Sequence, residues 1–306
     1  MDSAMLKSSV VLCLLLLSVM VIGSSLVHAK VIHQERSLYR NILVEDNGDL
    51  RCLKFNVKSN KTQQSCYLKS QPQQLVFNYT KLLMASLLFN SEPKRILIIG
   101  LGGGTMSNTL GQLYPSSQID NVEIDPAVIN VARQYFGFDE NKNVHTYTQD
   151  GRIFIKRALL KKHHYDWIIL DAFNGDYIPE HLMTKEFLQE AKALLSNDGI
   201  LSANTFSLSK LYAHESATYK AVFGDFYQVS NQANANRIII AHRNGFSNTP
   251  LTPENINTFK TTLQPFGVDI KHLYDHMVFS KHHQDWPENT RLLTDQFSPV
   301  NLLNSN

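Results

Sequence analysis

The chain has 306 residues, with 29 Lys plus Arg against 27 Asp plus Glu, 43% hydrophobic residues and 18% charged ones. So apolar a composition excludes intrinsic disorder, and the absence of a glycine period or heptad run excludes collagen and long coiled coil. A formal net charge of +2 argues against a nucleic-acid partner, because neutralising several phosphates takes a basic patch that this balance does not advertise.

Residues 1–29 have the grammar of a signal peptide. Val10 to Ile22 is apolar apart from Ser18 and follows Lys7, and Val27 and Ala29 occupy the small-residue positions before a cut ahead of Lys30. The expectation is an exported protein, periplasmic or secreted. The run falls short of the roughly 20 residues of a membrane span. Extended to Val27, it makes an uncleaved, membrane-associated protein the alternative, and Lys30, Arg36 and Arg40 then favour an inward-facing domain. Cleavage removes Cys13 and leaves Cys52 and Cys66, which are either a disulfide in an oxidising compartment or two separate buried thiols.

Residues 30–90 read as a small β-rich domain. Asn41 to Val44 and Leu50 to Leu53 flank Asp46-Asn47-Gly48-Asp49, the pattern of a hairpin turning at Asn-Gly, and a further short strand follows. Leu75 to Phe89 is apolar at helical spacing and ends before Ser91-Glu92-Pro93. From residue 91 to 306 the rhythm changes. Ile96 to Ile99, Ile119 to Ile124, Val144 to Thr148, Trp167 to Leu170 and Ile200 to Thr205 are predicted strands; helices near Met106 to Leu113, Pro126 to Tyr135, Ile153 to Leu160 and Lys185 to Leu195 lie between them. Asp125-Pro126 caps the second helix and Asn197-Asp198-Gly199 is expected to stop the fourth. Arg237 to Ile240 is expected as a final antiparallel strand, and a helix begins at Thr252-Pro253-Glu254. The alternation predicts an α/β fold, a Rossmann-like, doubly wound, mostly parallel sheet, preceded by the small β-domain.

The chemistry gathers at strand ends. Ile98-Ile99 runs into Gly100-Leu101-Gly102-Gly103-Gly104-Thr105, where glycine permits a tight turn and lets a ligand lie on backbone amides at a helix N-terminus. Glu123 ends the next strand, where an acidic side chain can accept both hydroxyls of a ribose. Asp150-Gly151 ends the third and Asp171 the fourth. Ligands in open α/β sheets bind outside the carboxyl ends of the strands, so these positions predict one nucleoside crevice, with Gly100, Gly102, Gly104, Glu123, Asp150 and Gly151 binding the nucleoside. No zincin, α/β-hydrolase, Walker or Cys-x-x-Cys motif is present. His272, His276, His282 and His283 read as a surface cluster, and no metal site is expected. Asn60-Lys61-Thr62 and Asn78-Tyr79-Thr80 match the glycosylation pattern.

Pro93 to Ser207 resembles the catalytic domain of the spermidine synthase (polyamine aminopropyltransferase) family, itself similar to class I S-adenosylmethionine methyltransferases. The likeness lies in Arg95-Ile96-Leu97-Ile98-Ile99-Gly100, Val122-Glu123-Ile124-Asp125-Pro126, Gln149-Asp150-Gly151-Arg152, and Tyr165-Asp166-Trp167-Ile168-Ile169-Leu170-Asp171, and runs on through Ile178-Pro179-Glu180-His181-Leu182. Tyr79 and the segment ahead of it resemble that family's small N-terminal domain, and Leu293 to Val300 resembles the close of its spermidine synthase-like branch. The resemblance implies S-adenosylmethionine or decarboxylated S-adenosylmethionine as co-substrate, a small amine or other nucleophile as acceptor, no metal, and a homodimer. It implies that Glu123 holds the ribose and Asp150 the adenine amino group, that Asp171 is the catalytic base, and that Tyr79 and Asn174 contact the acceptor.

Departures from the family pattern are as informative. Gly103 stands where the family has an Asp for the donor ammonium, Asn174 replaces a second Asp, Leu75 and Val76 replace an acidic pair, and Lys81 replaces a Glu. A polycation needs anionic partners along its length. The expectation is therefore a transferase with the polyamine carboxylates largely lost; the alternative is an exported, non-catalytic binding or structural module.

Overall fold

The computed structural model describes residues 29–55, 63–173, 177–230, 236–246 and 253–298 and places their strands in two sheets. The first is antiparallel and runs in chain order: β1 (Lys30–Arg36), β2 (Asn41–Asn47), β3 (Leu50–Lys54) and β4 (Gln63–Leu68). Asn47 pairs with Leu50 across a turn in which Gly48 has φ 60°, so the expected hairpin forms and glycine takes its left-handed position. Cys52 lies opposite Cys66 in the β3–β4 register, and a disulfide joins them.

The second sheet holds β5 (Arg95–Ile99), β6 (Gln118–Glu123), β7 (Val144–Thr148), β8 (Tyr165–Leu170), β9 (Leu195–Phe206), β10 (Tyr227–Ser230), β11 (Asn236–His242) and β12 (Val278–Phe279), in the spatial order β12-β10-β11-β9-β8-β5-β6-β7. The run from β9 to β7 is parallel, and β11, β10 and β12 form an antiparallel edge. The chain winds outward from β5 to β7, then returns to lay β8 on the other side of β5. That reversal opens a crevice between β5 and β8, as doubly wound sheets do.

Period-two alternation sorts the core into two layers. Ile96, Ile98, Ile119, Trp167 and Ile169 face α1 (Asn78–Leu83), α2 (Thr105–Leu113), α7 (Pro253–Leu263) and α8 (Ile270–Asp275). Leu97, Ile99, Val122, Ile168 and Leu170 face α4 (Gly151–Leu160), α5 (Lys185–Leu194) and α6 (Tyr212–Phe223). The remaining helix, α3 (Pro126–Tyr135), is shared: Ile129 and Ala132 pack on the large sheet, while Val128 and Val131 pack on Ile42, Val44, Leu53 and Phe55 of the small one. This helix holds the small sheet over the strand ends.

Two local expectations change. The apolar stretch from Leu75 to Phe89 is helical only as α1, and then tightens into a 3-10 segment, Met84–Leu88, in which every residue is buried. An amphipathic helix would bury one stripe; this segment is enclosed on all sides and its Ser86 hydroxyl is satisfied by Ser202 at 2.6 Å. It packs with the large sheet, not the small one. Asn197-Asp198-Gly199 does not stop a helix either: α5 gives way to β9 at Leu195, and these residues bulge between the pairs Tyr165–Leu195 and Trp167–Ile200. Residues 1–28, which include most of the expected leader, lie outside the described residues. No helix among the described residues is long and apolar enough to cross a membrane.

The cross-strand disulfide closes a loop with a sequence separation of 14. Replacing both cysteines, Cys52→Ser with Cys66→Ser, is expected to cost about 2–4 kcal/mol. Thermal unfolding of the double variant should match that of the parent protein under reducing conditions.

Candidate active site

The reversal between β5 and β8 requires two backbones to touch. A β-carbon on Gly100 would fall 2.3 Å from the Asp171 carbonyl oxygen, and Gly100 has φ +100°. Glycine alone satisfies both conditions. The Asp171 amide donates to the Ile99 carbonyl at 2.8 Å and the Gly100 amide to the Val122 carbonyl at 2.8 Å, so the ends of three strands are tied together. A cavity of about 260 Å³ opens over this knot.

Its walls contain Tyr79, Gly100, Gly102, Glu123, Asp150, Gly151 and Asp171. Gly104 is not among them. It begins α2 in a left-handed conformation, and a β-carbon there would strike the Phe138 ring at 2.6 Å, so its place is one of packing. Gly151 also packs closely, its missing β-carbon leaving room for Ile99. Asn174 and Asn60 lie outside the described residues, and Cys52 and Cys66 lie in the small sheet.

Glu123, at the end of β6, is 7% exposed. One oxygen accepts from the Leu101 amide at 3.2 Å and the other from the Asp125 amide at 3.1 Å. Burial pushes its carboxyl up, while the Arg40 guanidinium and those amides draw it down. Asp150 caps α4 through the Ile153 amide at 2.9 Å and spends its other oxygen on His181 at 2.7 Å, which holds its carboxyl below the ordinary value. Asp171 behaves oppositely. Burial pushes its carboxyl up to about 7, although Asn204 and Tyr79 both hydrogen-bond to it and favour the ionised form. The Asn204 amide nitrogen stands 2.9 Å from Oδ1. Tyr79, on α1, is in turn pushed well above its ordinary value by burial first and by Asp171 second.

Sequence reasoning missed the wall supplied by the small sheet. The turn between β1 and β2 reaches the crevice: Ser37 donates to Asp125 at 2.5 Å, and Arg40 lies 3.6 Å from Asp125, donates to the Phe173 carbonyl at 3.3 Å and stacks 4.3 Å over Phe55. Tyr39, Phe55, Gln64 and Ser65 also line the cavity. No spacing in the sequence announces them, because they arrive from another sheet. Ser65 also bears on Gly103, where a β-carbon would meet its hydroxyl at 2.8 Å and Phe136 at 2.9 Å. Leu75, 0% exposed, is turned into the core and is not part of the lining. Asn204 had a signal, since it sits near the end of β9, a fifth strand beside the four whose ends were read.

The rings of His272, on α8, and His276, which caps its end, lie 4.0 Å apart at a tilt, and among the described residues no group of three or more His, Cys, Asp or Glu could hold a metal ion. In the sequon at Asn78, the Thr80 hydroxyl is buried and bonded to the Phe77 carbonyl at 2.6 Å.

Comparison with known proteins bears out the fold. The family described as the spermine/spermidine synthase domain matches residues 76–233. A polyamine aminopropyltransferase of Vibrio vulnificus is 47% identical over 296 residues, 96% of this chain and 98% of that protein. A probable spermidine synthase from Corynebacterium glutamicum superposes with a TM-score of 0.67 at 20% identity, over 87% of this chain and 97% of that one. A human methyltransferase-like protein, solved in complex with SAH, superposes with a TM-score of 0.54 at 24% identity, over 65% and 93%. Both structural likenesses are likenesses of fold.

A carboxyl raised by burial holds its proton in the folded state across a range where the unfolded chain has lost it. Between about 4 and 7, rising pH therefore erodes stability at Asp171, and above 7 the cost is complete. Glu215, raised by burial to about 7, titrates in the same window and is cancelled by comparing variant with parent. Asp171→Asn should raise the melting temperature at pH 8 and leave it unchanged near pH 3.5. Thermal scans at the two pH values check this.

Proposed function

The chain belongs to the spermine/spermidine synthase family, and from that premise we propose that it transfers an aminopropyl or methyl group from a sulfonium nucleoside, S-adenosylmethionine or its decarboxylated form, to an amine or other small nucleophile. The observation that carries this reading is the convergence of Glu123, Asp150 and Asp171 on one cavity with different electrostatic settings. Glu123, anchored through two backbone amides, offers its remaining lone pairs to the ribose hydroxyls. Asp150 accepts from the adenine amino group. Asp171 is the base.

The chemistry fits a carboxyl poised near neutrality. An ammonium has no lone pair, so the acceptor nitrogen must give up a proton before it attacks. The proton passes to Asp171, the freed lone pair forms a bond to the carbon on sulfur, the carbon–sulfur bond breaks, and its electron pair leaves on a neutral thioether. A base with its carboxyl near 7 is about half ionised at neutral pH and is a stronger acceptor than an ordinary carboxylate. The cavity needs no further activation of a leaving group that is already cationic.

The acceptor carries fewer charges than a polyamine in this reading. Among the described residues lining the cavity the carboxylates are Glu123, Asp150 and Asp171, and the nucleoside and the attacking nitrogen use all of them. Arg40 adds a positive charge to the same wall. A different acceptor, or a donor that keeps its carboxylate, suits that balance better than a diamine.

Export is proposed as well. The leader grammar of residues 1–29 supports it, and a Cys52–Cys66 disulfide belongs in an oxidising compartment. Sulfonium nucleosides are made in the cytoplasm, so export favours the second reading, a binding module that retains the crevice without turnover. Mass spectrometry of the purified N-terminus together with fractionation is expected to find a chain beginning at Lys30 outside the cytoplasm; an intact leader with the protein at the membrane would favour the anchored, inward-facing alternative.

Calorimetric titration with S-adenosylmethionine, decarboxylated S-adenosylmethionine and methylthioadenosine tests the nucleoside site, and no heat with any of them sinks the transferase reading. Glu123→Ala should weaken binding by about 100-fold or more. Asp171→Asn should spare binding and lower turnover by roughly 10²–10⁴-fold. Binding without turnover by the parent protein favours the module.

A further inference from the structure

The polar row on β9 has consequences for the base. Ser202 and Asn204 are two residues apart and so share one face of the strand, the face covered by α1 and the 3-10 segment. Ser202 serves the core, accepting from the Trp167 indole at 2.8 Å and bonding Ser86. Asn204 serves the cavity. Its Nδ2 donates to Asp171 Oδ1 at 2.9 Å, and its Oδ1 accepts from Asn236 Nδ2 at 2.9 Å. Asn236 opens β11 opposite Phe206, which makes it the diagonal neighbour of Asn204 on the same face.

The two amides have a fixed polarity. A carboxamide carries a single oxygen, so when Asn236 donates to that oxygen the nitrogen must face Asp171. Asn204 therefore turns an N–H toward Oδ1 and gives the ionised carboxylate a fixed donor. We infer that Asn204, held in orientation by Asn236, is a positioning residue that keeps this donor on Oδ1 of Asp171 and so favours the ionised form that takes the proton from the nucleophile. The inference rests on Asp171 being the base.

The other groups around Asp171 are accounted for. Tyr79 on α1 bonds the same carboxylate. Glu123, Asp150, Arg40 and His181 stand on other walls of the cavity. From α6, Glu215 is paired with Arg237 at 3.3 Å, and Arg237 is fixed to Thr205 at 2.9 Å. Asn204 and Tyr79 are the groups that draw the Asp171 carboxyl down, so removing Asn204 must leave it higher.

The test is a pH titration of ligand-free protein carrying carboxyl-labelled aspartate, followed by carbon NMR, with the Asp171 signal assigned by its loss in Asp171→Asn. Asn204→Ala should raise the Asp171 midpoint by about one pH unit or more, the worth of a hydrogen bond to a charged acceptor. Asn236→Ala, at a half-buried strand end that leaves the core intact, should raise it by a smaller amount. Asn204→Ala with Asn236→Ala should go no further than Asn204→Ala alone, because the second amide acts only through the first. An unmoved midpoint in Asn236→Ala, or single shifts that add in the double variant, overturns the inference; if Asn204→Ala does not fold, Asn236→Ala decides alone. Turnover is not part of this readout. Full turnover by Asp171→Asn would overturn the assignment of the base and leave the titration result standing.

Discussion

The contact between Gly100 and the backbone of Asp171 is the constraint on which the rest of this protein depends. With a β-carbon at residue 100 only 2.3 Å from the Asp171 carbonyl oxygen, β5 and β8 could not end side by side. Their adjacency puts the glycine-rich loop and the proposed base on one rim. The same adjacency fixes where the chain reverses its winding, and so where a ligand can enter. The geometry of the crevice follows from a backbone contact before any side chain is considered.

Three acids reach the resulting cavity, and burial dominates at Glu123 and Asp171 while the His181 hydrogen bond dominates at Asp150. Their differences come also from what each carboxylate is given as a partner. Glu123 receives two backbone amides and the field of Arg40, Asp150 receives a helix N-terminus and an imidazole, and Asp171 receives one amide and one phenol. Neutral donors offset only part of the cost of burying a charge. That leaves Asp171 with a carboxyl near 7, a setting that suits the base proposed for it.

The small sheet is better described as a wall of the site than as an appendage. Helix α3 holds it by burying Val128 and Val131 against Ile42, Val44, Leu53 and Phe55. From that position the turn at Ser37–Arg40 reaches Asp125 and Phe173, and Ser65 beside the disulfide bonds Thr105 at the start of α2 at 3.1 Å. Gly103 belongs to the same account. Ser65 and Phe136 fill the space a side chain there would need, so the absence of an acid at that position is matched by the packing around it.

Much of this was legible in the sequence. Alternating apolar runs and amphipathic segments determined the α/β layers, because period-two and helical spacing are local consequences of burying one face. Glycines and acids at successive strand ends located the crevice, because in a parallel sheet every strand ends on the same side. Where burial was not one-sided, local reading failed: the wholly enclosed Met84–Leu88 became a 3-10 segment, and Asn197-Asp198-Gly199 became a bulge inside a strand. Tertiary structure alone decided that Asn204 meets Oδ1 of Asp171, that Arg40 stands beside Glu123, and that Gly104 packs on Phe138 instead of lining the cavity. Each of these depends on atoms far apart in the chain meeting within a few ångströms, and no periodicity encodes such a meeting; it exists only once two sheets and a shared helix have packed.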